Sequence, residues 1–158
     1  MEIRTVETLL SEHPFFDGMK EEYVKTVAGC ASNVRFSARE TLFNQKDPAD
    51  RFFIIEAGKV AIDIESADRG IITIETLGEG KVLGWSWLFP PYEWHYGAHA
   101  VEDTKAIAID ARCLRGKAEQ DPAMGYELMK RFSEIMHRRM QRARMQLLDI
   151  YGPQKKGG

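Results

Sequence analysis

Residues 41–65 read TLFNQKDPADRFFIIEAGKVAIDIE, and the period of this stretch decides the fold. Three β-rich runs, TLFN, RFFIIE and KVAIDIE, are punctuated by Asp47-Pro48 and Ala57-Gly58, pairs that interrupt strands and favour turns. In the last run, alternation with period two sends Val60, Ile62 and Ile64 toward a core and Ala61, Asp63 and Glu65 toward water. The same pattern extends in both directions, through NVRF before it and IITIETL, KVLG, AHAVE and TKAIAID after it, with Asp68-Arg69-Gly70 and Gly78-Glu79-Gly80 as turns. About eight short strands at near-regular spacing predict an antiparallel sandwich or jelly roll rather than a βαβ fold.

Helical periodicity flanks the strands. Residues 2–13 predict a short helix with Val6, Leu9 and Leu10 on one face, interrupted by Pro14. Asp17 is placed to cap a second helix carrying Tyr23, Val24, Val27, Ala28 and Ala31. At the other end Asp121-Pro122 sets a cap residue before a first-turn proline. The pattern then runs to about Ile150, where Tyr151-Gly152-Pro153 stops it. This last helix carries two apolar stripes. Leu128, Phe132 and Ile135 suit packing on the β-domain; Tyr126, Met129, Ser133, Met136, Met140, Ala143, Leu147 and Ile150 alternate in steps of three and four, the spacing of a helix–helix seam. One body-packing helix needs one stripe, so the second predicts a homodimer. The expected organisation is N-terminal helices and a β-roll sensor over 1–121, a dimerisation helix of the same domain over 122–151, and a tail over 152–158. The class is mainly β with flanking helices (α+β).

Composition fits that plan. The 158 residues are 44% hydrophobic and 29% charged, an ordinary globular balance. No apolar run reaches membrane-spanning length, and the acid-bearing start lacks the apolar centre of a signal peptide. Cys30 and Cys113 stand isolated in sequence, which predicts a reducing compartment, no metal cluster and a cytoplasmic location. The formal net charge of −2 conceals an asymmetry, because residues 122–158 hold eight Lys and Arg against three acids. A basic tail on an acidic body can make weak, salt-sensitive contacts with nucleic acid, but reads first as a solvated or intersubunit face.

The order of elements resembles the cyclic-nucleotide-binding domain of the catabolite-activator (Crp/Fnr) type. Residues 41–65, with their DPAD turn, resemble that family's opening strands. LGEGKVLG resembles the glycine turn and strand leading into its phosphate-binding cassette, and Arg138-Arg139-Met140-Gln141 resembles its dimer helix. The resemblance implies a double-stranded β-helix with a ligand pocket inside. The cassette position falls on residues 83–100, LGWSWLFPPYEWHYGAHA, which hold every tryptophan of the chain. The implied ligand set is Gly84, Trp85, Ser86, Trp87, His95, Tyr96, Gly97 and Ala98, with Ala143 and Arg144 at the purine-contacting positions of the long helix.

The chain departs from the family where its chemistry is concentrated. Trp85 stands at the position of the ribose-binding Glu, His95 falls close to that of the phosphate-binding Arg, and no Arg or Lys lies between Lys81 and Lys105. A phosphate buried without a fixed countercharge loses several kcal/mol of hydration, so weak or absent binding of cyclic AMP and cyclic GMP is expected. Two readings of the aromatic stretch follow. Trp85, Trp87, Phe89 and Trp94 fold inward and fill the cavity, the slightly favoured reading, or some of them line an altered pocket with Ser86, His95, Tyr96 and His99 as polar groups.

Other chemistry finds little footing. His95 and His99 would lie about 13 Å apart on a strand, which argues against a metal site. His13 and His137 are expected to be solvated. No hydrolase, nucleotide-loop or zinc-protease motif occurs, so no catalytic residue is assigned. Residues 152–158 are too short for a helix-turn-helix unit, and specific DNA binding by this chain is not expected. The expected product is a sensory module, acting as a homodimer or on a partner protein, with a cyclic nucleotide or another small ligand as the open candidates. A true cyclic-nucleotide receptor or Crp/Fnr-type transcriptional regulator is the alternative.

Overall fold

The computed structural model describes residues 5–151. The start of the first predicted helix, the stop signal after Tyr151 and the tail lie outside the described residues. All eight predicted strands form: β1 (Ala31–Phe36), β2 (Thr41–Phe43), β3 (Arg51–Ala57), β4 (Val60–Ser66), β5 (Gly70–Leu77), β6 (Val82–Leu83), β7 (Gly97–Ala100) and β8 (Thr104–Asp110). They make two four-stranded antiparallel sheets, ordered β1-β8-β3-β6 and β2-β7-β4-β5, which face each other as a jelly roll. Val60 and Ile62 point into it as expected, but Ile64 is partly exposed because a bulge between Ile62 and Asp63 shifts the β4–β5 register and carries the hairpin tip beyond the core. Ala61, expected to face water, is buried. Its methyl is short beside its cross-strand partners His99 and Thr76.

Helix α1 (Val6–Glu12) starts where the Thr5 side chain accepts the Thr8 N–H, and Leu10 is its buried anchor. Pro14–Phe16 then forms one 3₁₀ turn, and α2 follows over Glu21–Ala28. Asp17 ends the 3₁₀ turn and does not cap α2, whose N-cap is Lys20 without a side-chain bond. The intervening turn, too short to be visible as a helical period, displaced the expected start. Helix α3 (Ala111–Gln120), which is not among the elements expected from the sequence and which buries Ala111 and Leu114, is capped by Asp110 accepting the Cys113 N–H. Helix α4 runs from Pro122 to Tyr151, with Asp121 accepting the Met124 N–H at its start. Met124, Leu128 and Phe132 are buried, and everything from Gln141 to Ile150 is exposed.

Two sequence-based expectations are overturned in this framework. Cys30 and Cys113 are not isolated but joined in a disulfide. Eighty-three residues separate them, and only the pairing of β1 with β8 brings the end of α2 beside the start of α3. Cross-linking so long a loop restricts the unfolded chain, so Cys30→Ser will lower stability by about 2–4 kcal/mol. Urea unfolding with and without reductant checks this, since reduction must erase the difference between variant and parent.

His13 is the second correction. Its Nδ1 accepts the Phe15 N–H, and its Nε2 is buried without a partner. Burial lowers its pKa; the neighbouring Gly80 carbonyl pulls the other way without making a hydrogen bond of ordinary geometry. The unfolded chain therefore takes up this proton at higher pH than the folded one, and stability is lost as pH falls below about 6.5. Melting temperature will drop between pH 7.5 and 5.5, and His13→Gln will flatten that slope.

Candidate functional site

The cassette stretch leaves β6 at Gly84, whose φ of +101° suits glycine. A Cβ there would lie 2.4 Å from the Trp94 ring. Glycine is thus required twice at this point, for the backbone turn and for the indole lying against it. Trp94 is 2% exposed and stacks on Phe43 with ring centres 3.8 Å apart and planes 10° from parallel. Tyr96 meets it edge-on at 6.0 Å. The DPAD turn clamps this residue in place: Trp94 N–H donates to the Asp47 carbonyl and Lys46 N–H donates to the Trp94 carbonyl. Pro48 bridges to Glu93 alongside. Phe43 also faces Phe53, itself packed on Phe36, so the Trp94 indole lies in the interior of the roll.

Trp87 occupies a different space. It sits in a 3₁₀ turn, Ser86–Leu88, with its ring stacked on Phe52 at 4.9 Å and edge-on to Phe132 of α4 at 5.4 Å. Phe52 and Phe53 are neighbours on β3 and point to opposite faces. Trp87 therefore fills the seam between roll and long helix, while Trp94 fills the roll. Trp85 is half-buried under the Arg139 guanidinium, 4.7 Å from its ring. Phe89, expected to fold inward, is 48% exposed.

The polar candidates disperse. Ser86 and Ala98 are buried, whereas His95 is exposed. Gly97 pairs with Asp63 on the outward side of β7, next to His99, whose Nδ1 lies 2.6 Å from an Asp63 oxygen. Ala143 and Arg144 are exposed on the distal half of α4 and do not join the cassette.

Two guanidiniums reach the cassette from elsewhere. Arg115 of α3 donates to the Trp87 carbonyl at 2.6 Å and lies 4.1 Å over the Tyr92 ring. Arg139 of α4 donates to the Val82 carbonyl while covering Trp85. Burial raises the pKa of the Tyr96 hydroxyl to about 12; Arg139 beside it opposes the rise and Glu75 adds to it. That hydroxyl and the Trp87 ring N–H have no hydrogen-bond partner of ordinary geometry. The sequence held one signal for Arg139: it continues the roll-facing stripe Leu128, Phe132, Ile135 by the next step of four. A charge placed where an apolar stripe should continue marks a contact with polar atoms. Arg115 carried no such signal.

Residues 33–121 match the family model of the cyclic nucleotide-binding domain. The chain is 23% identical over 145 residues to the CRP-like cAMP-activated global transcriptional regulator of Mycobacterium tuberculosis, covering 92% of this chain and 63% of that one. It thus spans less than two-thirds of the length of that relative. Among solved structures it is similar to a putative cyclic nucleotide-binding protein from Geobacter metallireducens, with a TM-score of 0.76, 23% identity and coverage of 87% of this chain and 99% of that one. A cyclic nucleotide-binding domain from Methylobacillus flagellatus gives a TM-score of 0.78 at 16% identity, covering 96% and 85%. These structural likenesses bear on the fold.

Proposed function

This chain belongs to the cyclic nucleotide-binding domain family, and from that we propose that it is a regulatory module whose roll is closed by its own side chain and whose output is the placement of α4. The observation that carries the reading is the Trp94 indole, stacked on Phe43 and resting on Gly84. A base or ribose entering there would have to expel a buried indole. The two guanidiniums near the cassette are already committed to carbonyl oxygens, at Val82 and Trp87.

The cassette is tied to α4 at two points, Trp87 on Phe132 and Trp85 under Arg139, and to α3 through Arg115. A shift of the cassette must therefore move or loosen the long helix. The distal half of α4 exposes Met140, Leu147 and Ile150, and the proximal half Tyr126, all on the seam spacing. A 30-residue helix with such a face is stable when that face is covered, which supports a homodimer through α4. Residues 122–151 then act as the dimerisation part of one sensor domain. A partner protein could read the same surface. Among the described residues no helix is long and apolar enough to cross a membrane. The Cys30–Cys113 disulfide removes the cysteine argument for a reducing compartment; the cytoplasm stands as the proposed location on kinship to the family alone, and no catalytic role is assigned.

One observation favours a second reading, a working cyclic-nucleotide receptor: Arg139 brings a guanidinium to the cassette that residues 82–104 lack. Thermal unfolding in the presence of cyclic AMP and cyclic GMP separates the two. A nucleotide at 100 times its dissociation constant adds about 2.7 kcal/mol, a shift of roughly 5–10 °C for a domain this size. The closed roll predicts no shift at 1 mM, taken as about 100 times a 10 μM constant. A saturable shift abolished by Arg139→Gln establishes the receptor instead.

A further inference from the structure

A cluster of positive charge lies outside the roll. Between the Pro14–Phe16 turn, the turn joining β5 to β6 and the roll-facing side of α4 runs a cleft of about 400 Å³. Lys81, Arg138, Arg139 and Arg142 line it, with Glu79 as the carboxylate on its wall. Arg142 shares its charge with Glu75 at 3.3 Å, and Arg139 is held by the Val82 carbonyl. Lys81 and Arg138 have no ion pair among the described residues. Arg138 and Arg142 are one helical turn apart, a like-charge spacing that costs an isolated helix a few tenths of a kcal/mol. The floor is apolar, formed by Phe15, Leu77 and Ile135. His13 closes one end; its Nδ1 is an acceptor, so the neutral ring carries its hydrogen on the unpartnered Nε2.

We infer that this cleft binds an organic phosphate bearing at least two negative charges. Lys81, Arg138 and Arg142 hold the phosphate, and the uncharged part of the ligand lies on Phe15 and Ile135. The charge balance favours an anion: Lys81, Arg138, Arg139 and Arg142 line the cleft against Glu79, with Glu75 paired to Arg142. Guanidinium forks match phosphate oxygens in pairs, and a partly enclosed cleft strengthens each bond. The volume falls in the small-molecule range and exceeds what an inorganic ion needs. Because one wall is the roll and the other is α4, an occupant favours whichever helix placement brings both walls to it. Arg139 also meets the cassette at Trp85, so the cleft is tested through Lys81 and Arg138 rather than through Arg139.

Calorimetric titration of the full chain with pyrophosphate and with 5′-AMP tests the site, with adenosine as the uncharged control. The expected result is saturable binding of at least one phosphate probe and none of adenosine. Lys81→Gln combined with Arg138→Gln should weaken it by roughly ten-fold or more. Arg35→Gln combined with Lys105→Gln removes the same charge outside the cleft lining, where the two residues pair across β1 and β8 at the other edge of the sheet from β6, and should leave it unchanged. Absence of saturable binding for both probes at 1 mM, or equal weakening by the two double variants, overturns the proposal. Cyclic AMP binding that ignores Lys81→Gln with Arg138→Gln but fails in Arg139→Gln would instead refute the closed roll and leave the cleft to its own result.

Discussion

Trp94→Ala will destabilise the protein by roughly 3–5 kcal/mol, the cost of removing a large aromatic from a packed interior. The indole is stacked on Phe43, edge-packed on Tyr96 and pressed against Gly84, and its backbone is clamped to Asp47 and Lys46 on both sides. Neither Gly84 nor the two sheets can follow the truncation inward, since Gly84 has no side chain and the strands are fixed by their ladders. The void therefore persists and its full cost is felt. Trp94→Phe keeps the stack with a smaller ring and should cost less than half as much. Urea unfolding monitored by circular dichroism measures both. A loss below about 1 kcal/mol for the alanine variant would mean that the indole does not pack the interior.

Met140→Asp combined with Leu147→Asp will convert the proposed dimer into a monomer. Two carboxylates per chain would be forced into an apolar seam without partners, at a cost of several kcal/mol, and the dimer dissociation constant would loosen by about a thousand-fold or more. Light scattering at micromolar concentration should read twice the 18.0 kDa chain mass for the parent and the single chain mass for the variant. Met140 and Leu147 are each 53% exposed and do not pack on the core, so the folded monomer should survive with its circular dichroism unchanged. A parent chain that is itself monomeric ends the seam proposal.

The sequence made the strands legible because each was short, alternating and bounded by a turn residue. Thr41–Phe43, Arg51–Ala57 and Val60–Ser66 fell where the quoted stretch placed them. The long helix was legible for the same reason, with Asp121-Pro122 at one end and an unbroken period after it. Helix α3 lacked a signal because its apolar positions are few, and its stability comes from the Asp110 cap, the disulfide and contact with α4. The cysteine pair was invisible because its proximity depends on register between β1 and β8, which no local pattern encodes.

The site was legible in part. That indoles crowd the cassette could be read directly, and one of them does fill the interior. Which one could not, because Trp87 and Trp94 differ only in whether the chain turns toward α4 or toward β2. That turn is set by Gly84 and by the DPAD clamp acting across some fifty residues of sequence. Arg139 was quoted for its place in the helix, yet its contact with Trp85 depends on how α4 lies against the roll.

A crystal grown in millimolar cyclic AMP is the most direct examination of the closed roll. The account predicts the Trp94 ring still stacked on Phe43, its edge against Gly84, and no nucleotide between the sheets. An ordered nucleotide beside Gly84, with the indole swung out and Arg139 turned from the Val82 carbonyl to the cyclic phosphate, would contradict it.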